Sequence, residues 1–221
     1  LLMGVLCIVI GWLEPAALGL AAETTPSAAW HLGRWIYWPA AVFWGVFVPL
    51  WLWRRWPLPG PSIGVIIGLI LLLPAWLALI QIRQAGPYVL LAVMMIAWLA
   101  DTGAYFAGRR WGRHKLAPNI SPGKTWEGAI GGAVAVVVYG LLLSFRFPEL
   151  LSASTWRLLI ALLALTGVSV MGDLLESLLK RQAGLKDSSN ILPGHGGLLD
   201  RIDSLTSTLP IVALLWLLAV D

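Results

Sequence analysis

The sequence predicts an all-α, polytopic integral membrane protein with about seven transmembrane helices, and three observations carry that prediction. Of 221 residues, 59% are hydrophobic and 12% charged, whereas soluble domains carry about 25% charge. Apolar stretches approaching the ~20 residues that a hydrocarbon core requires recur along the whole chain. Fourteen tryptophans are present, and Trp30, Trp35, Trp38, Trp51, Trp53, Trp56, Trp111, Trp126 and Trp156 flank those stretches, as indoles do at a membrane–water boundary.

The first stretch, Leu1–Ala22, opens inside an apolar run without an initiating Met, so an upstream segment is expected rather than a signal peptide. Ile36–Trp53 follows, and then a connector, Arg54–Ser62, with Pro57, Pro59 and Pro61. The remaining spans are Ile63–Ile82, Pro87–Ala107, Ala129–Phe145, Trp156–Leu179 and Thr206–Val220. No internal repeat or low-complexity tract interrupts them, so residues 1–221 are read as one membrane domain. Cys7 is the only cysteine, which rules out an internal disulfide and a cysteine-based metal site.

Basic residues orient the spans. Arg54, Arg55, Arg109, Arg110, Arg113, Lys115, Lys124, Lys180, Arg181, Lys186 and Arg201 fall on one side, and Arg34, Arg83, Arg146 and Arg157 on the other. The positive-inside rule places the richer side in the cytoplasm. Two polar loops, 108–128 and 181–205, then face the cytoplasm together.

Two acids lie inside spans. Asp101 precedes Arg109 by eight residues and Asp173 precedes Lys180 by seven, about 10–12 Å of helix at ~1.5 Å per residue. An acid at a helix centre costs roughly 2.5–3.5 kcal/mol on insertion scales, so such residues line a cavity or pair with a cation. Ser169, Asp173, Glu176, Ser177 and Lys180 recur at three- and four-residue spacing and form one polar stripe. Asp101, Tyr105 and Gly108 repeat it more weakly. Simple ion pairing between helices explains Asp101 equally well; the stripe, which runs into a basic loop, favours a functional cavity.

The loop chemistry points to phosphate. Gly123-Lys124-Thr125 is not a P-loop, because Pro118 stands where that motif needs glycine. It does precede a helix start, where free N–H groups and Lys124 and Thr125 suit an anion, although plain capping with Lys124 among lipid headgroups is the simpler alternative. In the second loop Lys180, Arg181, Lys186 and Arg201 neutralise anions, and Pro193–Gly197 lets backbone approach closely around His195. Asp200 and Asp203 can join Asp173 around a hard cation; Mg²⁺ takes one or two carboxylates plus phosphates and water. One histidine without cysteine argues against zinc.

Ser177, Lys180-Arg181, Lys186-Asp187, Ser189, Leu192-Pro193, His195-Gly196-Gly197, Asp200-Arg201 and Asp203 resemble, position for position, the signature of the phosphatidate cytidylyltransferases, the CDP-diacylglycerol synthases. Asp101-Thr102, Ala104-Tyr105, Gly108-Arg109, Gly112, Ile120-Ser121-Pro122 and Lys124–Gly128 resemble that family's second motif. One departure is Gly123, where many members carry a lysine that would supply a phosphate contact.

The resemblance implies that CTP and phosphatidic acid give CDP-diacylglycerol and pyrophosphate. It divides the chain into N-terminal helices 1–96, a catalytic part 97–205 and a last helix 206–221. The expected catalytic residues are Asp173, Asp200, Lys180 and Arg201, with Asp173 and Asp200 holding Mg²⁺ and room for a second cation. Ser121, Lys124, Thr125, Arg181, Lys186, His195, Gly196 and Gly197 are expected to bind substrate. Asp101, Glu176, Asp187 and Asp203 are further ligands or orient the cations. The expected partners are CTP, phosphatidic acid and membrane lipids, with no nucleic acid, and apolar helix faces suit a homodimer. The expected location is a bacterial inner membrane.

A transporter or channel lined by Asp101 and Asp173 is the main rival; it leaves the two phosphate-like loops unexplained. A CDP-alcohol transferase would show a DG…AR…G…D…D array on one helix, which is absent from the sequence.

Overall fold

The computed structural model describes residues 2–20, 26–58, 60–147, 154–189 and 196–220. The chain is helical almost throughout, in the order α1 (Leu2–Leu13), a 3₁₀ turn (Pro15–Leu18), α2 (Pro26–Val42), a π turn (Phe43–Phe47) and α3 (Val48–Arg54). Next come α4 (Pro61–Ala85), α5 (Pro87–Trp111), strands β1 (Lys115–Ala117) and β2 (Ser121–Thr125), α6 (Trp126–Arg146), α7 (Thr155–Gln182) and α8 (Leu199–Val220).

Among the described residues six helices are long and apolar enough to cross a membrane, which makes this an all-α polytopic membrane protein. The expected count of about seven is not confirmed: α1, as described, has 12 residues. At ~1.5 Å per residue it covers about 18 Å, short of a ~30 Å hydrocarbon core. The cause is local. Glu14 leaves helical geometry (φ −132°, ψ 65°), as the residue before a proline tends to do, and Gly19 ends the following 3₁₀ turn in the left-handed region at φ 68°.

The chain forms two compact units. The first comprises Leu1–Val93 and Leu205–Asp221, the second Met94–Ser204. In the first, α2 meets α4 around a buried polar pair in which the Tyr37 hydroxyl donates to Gln81 Oε1 at 2.7 Å. Pairing removes the cost of two polar groups in apolar surroundings. Gly33 permits it, since a Cβ there would meet Tyr37 and come within 2.9 Å of Gln81 Oε1.

In the second unit α5 and α6 touch backbone to backbone along a seam of small residues. A Cβ on Gly103 would lie 2.9 Å from the Gly131 carbonyl oxygen, and one on Gly132 would lie 2.6 Å from that of Ala100. Small residues let helices approach this closely where no hydrophobic effect drives them together. α7 joins through Leu162, which packs into the space left by Gly140 and forms a buried core with Ala100 and Val136.

Two expected loops are largely folded. α5 continues through Trp111, and β1 and β2 pair antiparallel with Lys115 opposite Thr125 and Ala117 opposite Ser121. Thr125 ends the hairpin and caps α6, its hydroxyl accepting from the Gly128 N–H at 3.1 Å. α8 begins at Leu199 rather than Thr206, so Asp200, Arg201 and Asp203 stand on its first turns. Asp200 in that first turn opposes the positive end of the helix dipole.

Candidate functional site

The second unit encloses a cavity of about 420 Å³ lined by Asp101, Tyr105 and Arg109 from α5, Asp173 from α7, and Ser121, Gly123, Lys124 and Thr125 from β2. The α5–α6 seam and the Thr125 cap together determine where β2 lies against α5. Gly108 is part of this arrangement, because a Cβ there would sit 3.0 Å from the Thr125 hydroxyl. The base of the hairpin is held by His114, whose Nδ1 is 2.6 Å from Glu127 Oε1.

Lys124 reaches into the cavity and places its ammonium 2.5 Å from Asp173 Oδ2. The Ser177 hydroxyl donates to the other oxygen of Asp173 at 3.4 Å. Ser204 joins the remaining acids: its hydroxyl donates to Asp101 at 2.9 Å, and its N–H donates to Asp203 at 2.8 Å. Asp203 lies within electrostatic reach of Asp173, Asp101 and Lys124. Three carboxylates thus lie within electrostatic reach of Lys124, with Asp173 in contact, an arrangement that a further cation would suit.

A separate cluster is centred on Asp200. Its Oδ1 forms an ion pair with Lys180, which also contacts Glu176 at 2.6 Å. Its Oδ2 accepts from the Ser188 N–H at 2.8 Å, the Ser188 hydroxyl at 2.7 Å and the Gly197 N–H at 2.7 Å. Asp200 therefore ties the segment after α7 to the segment before α8. Gly196 adopts φ 78°, and a Cβ there would lie 3.1 Å from Asp200 Oδ2 and 3.5 Å from Asp187 Oδ1. A Cβ on Gly197 would collide with Ser188 and Ser189. These glycines serve close backbone packing around a carboxylate.

The structure thus brings together Asp101, Asp173, Asp203, Ser121, Lys124 and Thr125, and separately Glu176, Lys180, Asp187, Asp200, Gly196 and Gly197. Arg181, Lys186 and Arg201 are exposed and do not line the cavity. His195 lies outside the described residues. Sequence reasoning missed Arg109, Ser188 and Ser204 as site residues. Arg109 could have been found from spacing, since Asp101, Tyr105 and Arg109 recur every four residues on one helix face. In the structure its Nη1 donates to the Tyr105 hydroxyl at 2.8 Å. Ser188 and Ser204 left no such signal, because the acids that their hydroxyls meet, Asp200 and Asp101, are remote in sequence.

The oxygen-only donor set of Asp101, Asp173, Asp203 and Ser204 suits a hard cation such as Mg²⁺ and is unlike zinc or copper sites. Among the described residues no three metal-binding side chains form a ready cage. Mg²⁺ commonly takes only one or two protein carboxylates and fills its shell with phosphates and water, so the residues fit.

The model of the cytidylyltransferase family matches residues 5–219. A Pseudomonas aeruginosa protein named phosphatidate cytidylyltransferase is 49% identical over 153 residues, which is 68% of this chain and 56% of that protein. A Haemophilus influenzae protein of the same name is 49% identical over 127 residues, 57% of this chain and 44% of the relative. One from Staphylococcus saprophyticus is 44% identical over 137 residues, 62% and 52% of the two chains. The chain spans about half the length of the curated relatives it matches.

Proposed function

This chain belongs to the cytidylyltransferase family, and from that premise we propose that it transfers cytidylate from CTP to phosphatidate, giving CDP-diacylglycerol and pyrophosphate. The observation that carries the reading is Lys124: one ammonium among Asp101, Asp173 and Asp203, in a cavity whose wall also bears Arg109 and a helix N-terminus.

A phosphatidate oxygen attacks the α-phosphorus of CTP, the bond from that phosphorus to the bridging oxygen breaks, and pyrophosphate leaves with its electron pair. The nucleophile is already an anion near neutral pH, so no general base and no covalent enzyme intermediate are required. The work of the protein is to hold two polyanions in line and to offset the charge that develops. Lys124 and Arg109 face the phosphates, and the first N–H groups of α6 add positive potential. Lys180, held by Glu176 and Asp200, stiffens the far end of α7 rather than reaching into the cavity. Mg²⁺, when bound by Asp173 with Asp101 or Asp203, would neutralise phosphate charge and favour the in-line geometry. The site is read as facing the cytoplasm of a bacterial inner membrane, where CTP is found, since basic residues are concentrated in the connectors on that side.

The test is CTP-dependent formation of CDP-lipid from phosphatidate in mixed micelles with Mg²⁺. Parent protein is expected to turn over. Lys124→Ala is expected to lose roughly 100-fold in kcat/KM, as befits a charge-assisted contact of about 2–3 kcal/mol. Parent protein that neither binds CTP nor forms product would overturn the reading, as would full activity in Lys124→Ala.

A further inference from the structure

The first unit contains a second cavity, of about 490 Å³, that the proposed chemistry does not use. One wall is the run from α2 to α3 and carries Pro39, Phe43, Phe47 and Trp51; Ile67 and Ile70 of α4 form the other. Pro39 lies inside α2, and the chain passes through the π turn Phe43–Phe47 before α3. Isolated π turns are often found at functional positions. Phe43 and Phe47 stack across this turn with centroids 6.4 Å apart. Trp56 and Pro57 line the end nearest the connector, and the Trp51 indole N–H donates to the Trp56 carbonyl at 2.9 Å. From Pro39 to Trp51 the wall runs about 18 Å at ~1.5 Å per residue, comparable to one leaflet, which is half of a ~30 Å hydrocarbon core.

At that end the chemistry changes abruptly. Arg54 and Arg55, which immediately precede Trp56, are both exposed. Arg54 stacks its guanidinium on Trp53, 5.1 Å from the ring centroid. Arg55 caps α3 in the left-handed region at φ 50° and is the only residue other than glycine with positive φ among those described. Glycine or asparagine usually takes that position, so a guanidinium is kept there against backbone preference. Glu14 is the only acidic residue among the described residues of this unit. An apolar slot about one leaflet deep, whose Trp56 end is immediately preceded in the chain by two exposed cations with so little carboxylate in the unit, matches an amphiphile with an anionic head.

We propose that this groove binds an acyl chain of an anionic glycerophospholipid whose phosphate pairs with Arg54 and Arg55. A zwitterionic lipid offers the same chain, but its ammonium cancels much of the attraction to the arginines. Basic clusters beside transmembrane segments select anionic lipid through the same electrostatics.

The probe is phosphatidylglycerol carrying a photoreactive group in its acyl chain, diluted into phosphatidylcholine nanodiscs around the whole chain. Adducts are mapped by mass spectrometry. They are expected on 39–57 and 67–70, competed by unlabelled phosphatidylglycerol and not by added phosphatidylcholine. Arg54→Gln with Arg55→Gln is expected to lower labelling roughly tenfold or more, with unchanged melting because both side chains are exposed. Ile67→Trp, which fills the groove and keeps both arginines, is expected to lower it too. Equal labelling by tail-labelled phosphatidylcholine, or undiminished labelling of the double variant, overturns the proposal. Phosphatidylglycerol is not consumed in the transfer assigned to the second unit, so this result stands apart from that reading.

Discussion

At the residue scale, two aspartates that looked alike in sequence have different surroundings. Asp173 opens onto the cavity and has one close cation, Lys124; Asp200 spends both oxygens on protein donors. Asp173→Asn is therefore expected to raise the Mg²⁺ concentration for half-maximal CDP-lipid synthesis by roughly tenfold or more. Asp200→Asn is expected to leave that midpoint in place and to speed tryptic cleavage at Lys186, because the amide presents a donor toward Lys180 and loses acceptor capacity for Ser188 and Gly197. Equal metal shifts in both variants would show that Asp200 is a ligand after all. Gly123 supplies a second test. It lines the cavity, and a Cβ there meets nothing within 4 Å. Gly123→Lys is expected to fold normally and to tighten CTP binding roughly fivefold, the equivalent of about 1 kcal/mol, as read by equilibrium dialysis. The polar stripe on α7 made Asp173 legible from spacing alone. What stayed hidden was which acid is saturated by its neighbours, since Lys180 and Ser188 reach Asp200 only through folding.

At the scale of elements, the α5–α6 seam is what gives the cavity a defined shape. Gly132→Val is expected to push α6 off the Ala100 carbonyl and cost about 1–3 kcal/mol, as overpacking does, read as a lower unfolding temperature in detergent. Gly167→Ala is the control: it lies in α7 with nothing within 4 Å of its Cβ and is expected to unfold no earlier than the parent. A Gly132 variant as stable as the control would mean that the seam yields. Long apolar spans such as α4, α5 and α7 were readable from hydropathy to within a few residues. The hairpin was not, because β1 and β2 are short and polar and are held by His114, Glu127 and Thr125 rather than by an alternating apolar pattern. Nor was the start of α8. Asp200, Arg201 and Asp203 read as loop by polarity, yet a first helical turn accommodates charge readily. The break at Glu14 and Pro15 was visible as a proline but was outweighed by the apolar run around it.

At the scale of the molecule, the side on which the basic connectors emerge is open to direct test. Lys186→Cys on a Cys7→Ser background is expected to resist a membrane-impermeant maleimide in intact spheroplasts and to react after permeabilisation; the reverse pattern would invert the assigned orientation. Charge is also divided unevenly along the chain. Among the described residues, Asp101, Glu127, Asp173, Glu176, Asp187, Asp200 and Asp203 all belong to the second unit, and the first has Glu14 alone. The first unit relies on apolar contacts and on neutral pairs such as Tyr37 with Gln81. Acidification therefore acts on the two units unequally. Protonating those carboxylates removes the ion pairs of the second unit and finds little to titrate in the first, so acid strong enough to protonate paired carboxylates is a reagent that acts on the side chains of one unit and spares those of the other.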